Sequence, residues 1–198
     1  MTSFFTCPVC GCVLNGDKTF KCENNHSYDK NKHGYLNLLM SNAASTKRHG
    51  DDKLMVIARS EFLEKGYYAP VREALLTALK NHARENMRIL DAGCGEGYYS
   101  RELDQKLPDK QMIAFDISRD SIQLAAKSDQ GGVQWFVGDS TKLPIRSHSI
   151  NCVLDIFAPA NYAEFRRAMS RTGYLIKVVP GNGHLKEFRA YPPLNPFL

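Results

Sequence analysis

Five short apolar runs constrain this chain more than any other feature. MRILDAG, QMIAFDIS, VQWFVGDS, INCVLDIFAP and GYLIKVVPG each end at Gly, Asp or Pro. The segments YYSRELDQKL, RDSIQLAAKS and NYAEFRRAMS between them carry helical spacing. Near-continuous apolar runs suit strands buried on two faces, and strand–helix alternation brings successive strands back parallel. The expected fold is α/β, a mainly parallel sheet covered on both faces. The length, 198 residues, allows one average domain plus a small module. No stretch approaches the roughly 20 apolar residues of a membrane span. The start, MTSFFTCPVC, lacks the basic and apolar regions of a signal peptide, so a reducing cytoplasm with unpaired thiols is expected.

Four regions follow from composition: a cysteine-rich module at 1–40, a polar linker at 41–53, the α/β domain at 54–187 and a proline-rich tail at 188–198. The domain opens with LMVIARSEFLEKG, which predicts a helix with Leu54, Ile57, Ala58 and Phe62 on one face and Gly66 as its stop. PVREALLTALKNHA predicts a second helix with Pro70 near its start. Charge is uneven: the first 50 residues hold six Lys/Arg against three Asp/Glu, a basic balance compatible with nucleic acid or with a plain solvated surface.

The module contains CPVCGCVLNGDKTFKCENNHSYD. Cys7 and Cys10 form a C-x2-C pair, and Cys22 and His26 form a C-x3-H pair. Asn15-Gly16 between them signals a tight turn that brings the pairs together. Two thiolate-rich pairs suit tetrahedral Zn²⁺ better than Mg²⁺ or Ca²⁺, and so short a segment needs such a staple. With all four ligands from protein, the zinc is structural rather than catalytic. Cys12 is the surplus thiol; exchanging it for Cys10 would make a less typical C-x4-C knuckle.

In ILDAGCGEGYYS a strand ends at Asp91, Gly93, Gly95 and Gly97 follow on alternate positions, and a helix begins. This D-x-G-x-G-x-G spacing resembles the first motif of class I methyltransferases, Rossmann-like enzymes that bind S-adenosylmethionine (SAM). Asp116, at the end of the next strand, can accept ribose hydroxyls. The resemblance puts Asp139 or its neighbour Ser140 near the adenine edge. Asp155 ends the fourth strand, at the carboxyl edge where open α/β sheets bind ligands.

Module and core together resemble the bacterial large-subunit (23S) rRNA guanine-N1 methyltransferases of the RlmA and tylosin-resistance type. Cys7, Cys10, Cys22 and His26 match that family's zinc ligands, HGYLNLL its following segment, GYYAPVREAL its pre-core helix and ILDAGCGEGYYS its cofactor loop. The resemblance implies that Tyr68, Glu96, Gly97 and His184 contact the cofactor and that the protein forms a homodimer. It also implies seven strands, of which five are readable, so a truncated homologue without turnover is a competing reading. A small-molecule methyltransferase is another, disfavoured by the zinc module. The implied reaction moves the SAM methyl to guanine N1, whose proton some group must take. Asp155 is the candidate base. N1 lies on the Watson–Crick edge, so the target, in an rRNA hairpin, should be unpaired or flipped out. Lys18, Lys21, Lys30, Lys32, Lys47 and Arg48 are candidate phosphate contacts.

Overall fold

The structure is a computed structural model and describes residues 3–40, 50–183 and 186. Lys47, Arg48, His184 and the proline-rich tail fall outside the described residues, as does most of the expected linker. The five apolar runs form β5 (Met87–Ala92), β6 (Lys110–Asp116), β7 (Val133–Val137), β8 (Ile150–Ile156) and β9 (Met169–Val178). Ahead of them lie β1 (Asn15–Gly16), β2 (Thr19–Lys21), β3 (Ser27–Asp29), β4 (Leu36–Asn37), α1 (Lys53–Glu64) and α2 (Ala69–Asn81). Helices α3 (Tyr98–Lys106), α4 (Arg119–Ser128) and α5 (Tyr162–Ala168) connect strands of the core.

The large sheet runs β4-β7-β6-β5-β8-β9, and every pair in it is parallel. Successive side chains on a strand point to opposite faces, which splits the core in two. Ile89, Met112, Ala114, Trp135, Cys152 and Leu154 face a layer built from α2, α3 and α4. Leu90, Ala92, Ile113, Phe115, Phe136 and Val153 face the other way, against Phe165 and Ala168 of α5 and against Phe4, Phe5, Leu14, Phe20 and Leu36 from the first 40 residues. The cysteine-rich segment is thus one covering layer of the sheet. Main-chain hydrogen bonds stitch it there: Thr6 N–H donates to Pro144 O at 2.9 Å, Arg146 N–H to Phe4 O at 2.8 Å and Leu38 N–H to Val137 O at 2.9 Å.

Three local expectations are corrected. HGYLNLL, read as the end of the module, supplies β4, a two-residue edge strand paired with β7 through Leu36↔Phe136 and Asn37↔Val137. Such brevity leaves little open edge for another chain to pair with. Asn15-Gly16 is a strand, paired Asn15↔Lys21 and Gly16↔Phe20, and the chain reverses one step later, at Asp17-Lys18. Gly16 is needed for close approach, since a Cβ there would lie 2.0 Å from Thr19 O. On α1 the buried residues are Val56 and Leu63, whereas Leu54 is 78% and Phe62 46% exposed. The inward stripe includes a polar member, Arg59, so apolar spacing alone selects the wrong face. The helix ends are as expected: Gly66, φ +81°, donates to Leu63 O at 2.9 Å after α1, and Pro70 sits in the first turn of α2.

Candidate functional site

The four metal-ligand candidates converge. Cys7 Sγ, Cys10 Sγ, Cys22 Sγ and one nitrogen of His26 all lie within 4.8 Å of one another. Nδ1 of His26 is 3.5 Å from Cys7 Sγ and 3.4 Å from Cys22 Sγ, and Cys10 Sγ is 3.7 Å from Cys22 Sγ. Zn–S bonds of about 2.3 Å and Zn–N bonds of about 2.05 Å in a tetrahedron give edges of about 3.8 Å between sulfurs and about 3.6 Å from sulfur to nitrogen. The donor set therefore fits zinc. Two knuckles present it. Gly11 N–H donates to Cys7 O at 2.8 Å, and Asn25, in the left-handed region at φ +62°, donates its N–H to Cys22 O at 3.0 Å. Tyr28 Oη lies 3.4 Å from Cys7 Sγ, placed to donate to a thiolate. Cys12 stands outside the set, its Sγ accepting from Asn24 Nδ2 at 3.5 Å.

At the carboxyl edge of the large sheet a cavity of about 770 Å³ opens between the glycine loop, the ends of β6, β7 and β8, and α1. This is the size and position expected of a small-molecule cleft in an open α/β sheet. Tyr68, Asp91, Gly93, Gly95, Glu96, Asp116, Asp139 and Ser140 line it. Asp116 holds the loop, accepting Gly95 N–H at 2.9 Å on one oxygen and Ser118 N–H at 2.8 Å on the other. Each oxygen keeps a lone pair for a ligand hydroxyl. Asp139 accepts Thr141 N–H at 2.8 Å, closing the turn after β7. Asp91 is buried and accepts the Ser100 hydroxyl at 2.5 Å, tying α3 to the end of β5. Burial, then repulsion from Asp116, Asp155 and Glu96, pushes its carboxyl up to about 7. Burial also raises Asp116.

Arg59 and Asp51, not picked out from the sequence, complete the wall. Arg59 Nε donates to the buried Glu96 carboxylate at 2.8 Å and its Nη1 reaches Asp51. The available signal was the spacing Val56, Arg59, Leu63 behind an acidic helix cap: Asp52 accepts Leu54 N–H at 2.9 Å and Met55 N–H at 3.0 Å. Arg59 is the sole basic side chain among the lining residues, against Asp51, Asp91, Glu96, Asp116 and Asp139. A pocket so acidic favours a ligand bearing positive charge, as the sulfonium and amino groups of SAM do.

Two candidates stand elsewhere. Gly97 caps α3 at φ +78° and does not line the cavity; a Cβ there would lie 2.5 Å from the Trp135 ring. Its role is packing. Asp155 is fully buried and also does not line the cavity. It accepts Lys177 Nζ at 2.7 Å, and the same ammonium donates to Ala158 O at 3.2 Å. The strand's alternation turns Asp155 away from the site, so the geometry supports an anchor for the loop after β8 rather than a base. Of the basic candidates described, Lys18, Lys21, Lys30 and Lys32 are exposed, and Lys30 lies 3.8 Å from Asp17 and 5.6 Å from the Phe20 ring centroid.

Comparison with known proteins places this geometry. A zinc-ribbon family profile described as "RlmA, N-terminal" matches residues 5–47, and a methyltransferase-domain profile matches residues 89–177. A Bacillus subtilis protein assigned as a 23S rRNA (guanine-N(1)-)-methyltransferase is 33% identical over 198 residues, covering 96% of this chain and 68% of that protein. The 23S rRNA (guanine(748)-N(1))-methyltransferase of Streptomyces fradiae is 31% identical over 187 residues, covering 93% and 66%. The chain thus spans about two thirds of the length of these relatives. A SAM-dependent methyltransferase structure from Aquifex aeolicus superposes with a TM-score of 0.52 at 17% identity, over 65% of this chain and 72% of that one. One assigned the same activity, from Methanococcus maripaludis, gives 0.58 at 19%, over 67% of each. At such identities the structures establish the fold, which is that of SAM-dependent methyltransferases. No helix among the described residues is long and apolar enough to cross a membrane.

Proposed function

The chain belongs to the 23S rRNA (guanine-N1)-methyltransferase family, and on that premise we propose that it transfers the methyl group of SAM to N1 of a guanine in a 23S rRNA hairpin. The carrying observation is the union, in one folded unit, of a four-ligand zinc cluster and an acidic cavity framed by Asp91, the glycine loop and Asp116. SAM would supply an electrophilic methyl on a cationic sulfur, which would leave as the neutral thioether S-adenosylhomocysteine while the N1 proton of the guanine passes to solvent. The chain's own residues would bind and orient it: Asp116 accepts the ribose hydroxyls, Gly93 and Gly95 let the main chain approach, and Asp139 with Ser140 borders the adenine. Arg59 neutralises Glu96 and keeps the loop in place. Tyr68 packs against the opening. Alignment of donor and acceptor is the main contribution such a site makes.

The zinc module would grip the RNA, with Lys18, Lys21 and Lys32 as phosphate contacts. The cytoplasm, where ribosomal RNA is found, is the compartment this function requires, and the family resemblance suggests a homodimer. The experiment is methyl transfer from labelled SAM to a 23S rRNA hairpin fragment, followed by nucleoside mass analysis. N1-methylguanosine is the expected product. Transfer to small molecules but to no rRNA fragment, or no transfer despite SAM binding, overturns the proposal.

A further inference from the structure

Among the described residues, five that are not glycine have a positive φ: Asn25, Asn86, Asp109, His148 and Phe157. The first four are residue types that adopt this conformation in turns, whereas a bulky aromatic there is an outlier. Phe157, at φ +56°, directly follows β8 and lines the cavity. Strain of this kind persists only where the surroundings over-determine it. Here three interactions do so. Phe157 N–H donates to Val178 O at 3.0 Å. Lys177, anchored on buried Asp155, grips Ala158 O. Ala158 itself presses on the glycine loop, its Cβ only 2.6 Å from where a Cβ on Gly93 would sit.

The strained turn does not bury the ring. Phe157 remains 43% exposed at the cavity mouth. Tyr68 meets it edge to face, with centroids 5.8 Å apart and planes at 90°, and Phe62 meets Tyr68 at 5.9 Å. A fold that only needed the turn would place glycine or asparagine here. One that needed an apolar contact would turn the ring inward.

We propose that Phe157 is the platform on which the acceptor guanine stacks beside the methyl donor, an inference that rests on the rRNA-methylation proposal above. An extruded base loses its neighbours in the strand, and an aromatic face at the site replaces them. The ring stands at the carboxyl edge of β8, on the rim it shares with Gly93 and Ala158, where an acceptor would meet a donor held in the cavity.

The test compares zinc-loaded wild type with Phe157→Gly and Phe157→Trp. Phe157→Gly removes ring and strain together, so its urea midpoint should equal or exceed that of wild type. Its kcat/KM for the rRNA hairpin should fall at least tenfold, in line with the loss of one base–aromatic stack, while Phe157→Trp stays within a few-fold. A Phe157→Gly enzyme that methylates within twofold of wild type overturns the inference and leaves the functional assignment standing. If wild type itself methylates no rRNA, the assignment fails. Saturation transfer from protein aromatic protons to millimolar guanosine 5′-monophosphate, with S-adenosylhomocysteine present, then decides the inference. A signal in wild type that disappears in Phe157→Gly sustains it, and equal signals, or none in either, overturn it.

Discussion

Gly95 and Gly97 belong to one motif, yet the structure gives them different reasons for being glycine, and alanine at each should separate the two. Both have positive φ, +57° and +78°. An L-residue in that conformation costs about 1–2 kcal/mol. At Gly95 a Cβ would first meet the Arg59 guanidinium, 3.3 Å away, which need yield only a few tenths of an ångström. At Gly97 it would meet Trp135 at 2.5 Å and Ala125 Cβ at 3.0 Å. The tryptophan cannot yield: it is buried and its Nε1 donates to Asp129 at 3.0 Å. Overpacking adds about 1–3 kcal/mol. Gly97→Ala should therefore lose roughly 2–5 kcal/mol of stability, and Gly95→Ala only the backbone share of about 1–2 kcal/mol. Gly95→Ala should nevertheless lose more SAM affinity. Urea unfolding of zinc-loaded protein, followed by far-UV circular dichroism, measures the first, and titration calorimetry the second. Fluorescence is unsuitable, because the sole tryptophan is the residue in question. In a cycle with Trp135→Phe, which removes the clashing ring atoms, the double mutant should be more stable than the sum of the singles by at least about 0.5 kcal/mol. Equal urea midpoints for the two glycine variants, or strict additivity in the cycle, would refute the packing account of Gly97.

Other consequences can be checked alongside. Lys177→Met leaves the Asp155 carboxylate buried without its cation and should cost about 3–5 kcal/mol, whereas the Lys177→Met/Asp155→Leu pair should recover much of that in denaturant titrations. Asp91 titrates near 7 when folded against 3.8 as its ordinary value, so the native state binds the extra proton between those limits. Stability without cofactor should fall as pH rises from about 4 to about 7, by at most about 4 kcal/mol from this group, and Asp91→Asn should flatten that slope. Chelation of zinc, or Cys22→Ser, should lower the thermal midpoint of the whole unit in calorimetry rather than release a separate early transition. Replacing Lys18 and Lys21 by alanine should reduce the salt dependence of RNA binding by roughly one logarithmic unit of slope for each phosphate no longer neutralised, with little change in SAM affinity.

What could be read from the residues follows a physical divide. The five core strands and the cavity position came from local signals: short apolar runs, an acid at the end of β5 and β6, alternate glycines. The zinc set came from ligand chemistry, in which spacing nearly dictates geometry. What stayed hidden depends on neighbours distant in sequence. Arg59 reaches Glu96 across 37 positions, and β4 pairs with a strand about a hundred residues away. Asp155 looked available because it ends a strand at the ligand edge; only the sheet's two-sidedness reveals that it points to Lys177. Phe157 carries no sequence signature, because its backbone angle is imposed by neighbours on β9 and the glycine loop.

Phe4, Phe5, Leu14, Phe20 and Leu36 cover a face of the catalytic sheet that nothing else among the described residues would shield in their place. Modular proteins often trade recognition elements by recombination, exchanging one end for another across a linker. Here the seam runs through the hydrophobic interior. A crossover within residues 41–53 would unite a foreign ribbon with a sheet whose apolar side was shaped for this one. Joining a different module by such a swap requires Phe136, Ile145 and their neighbours to change with it, so the zinc module and the methyltransferase domain of this chain are inherited as one piece.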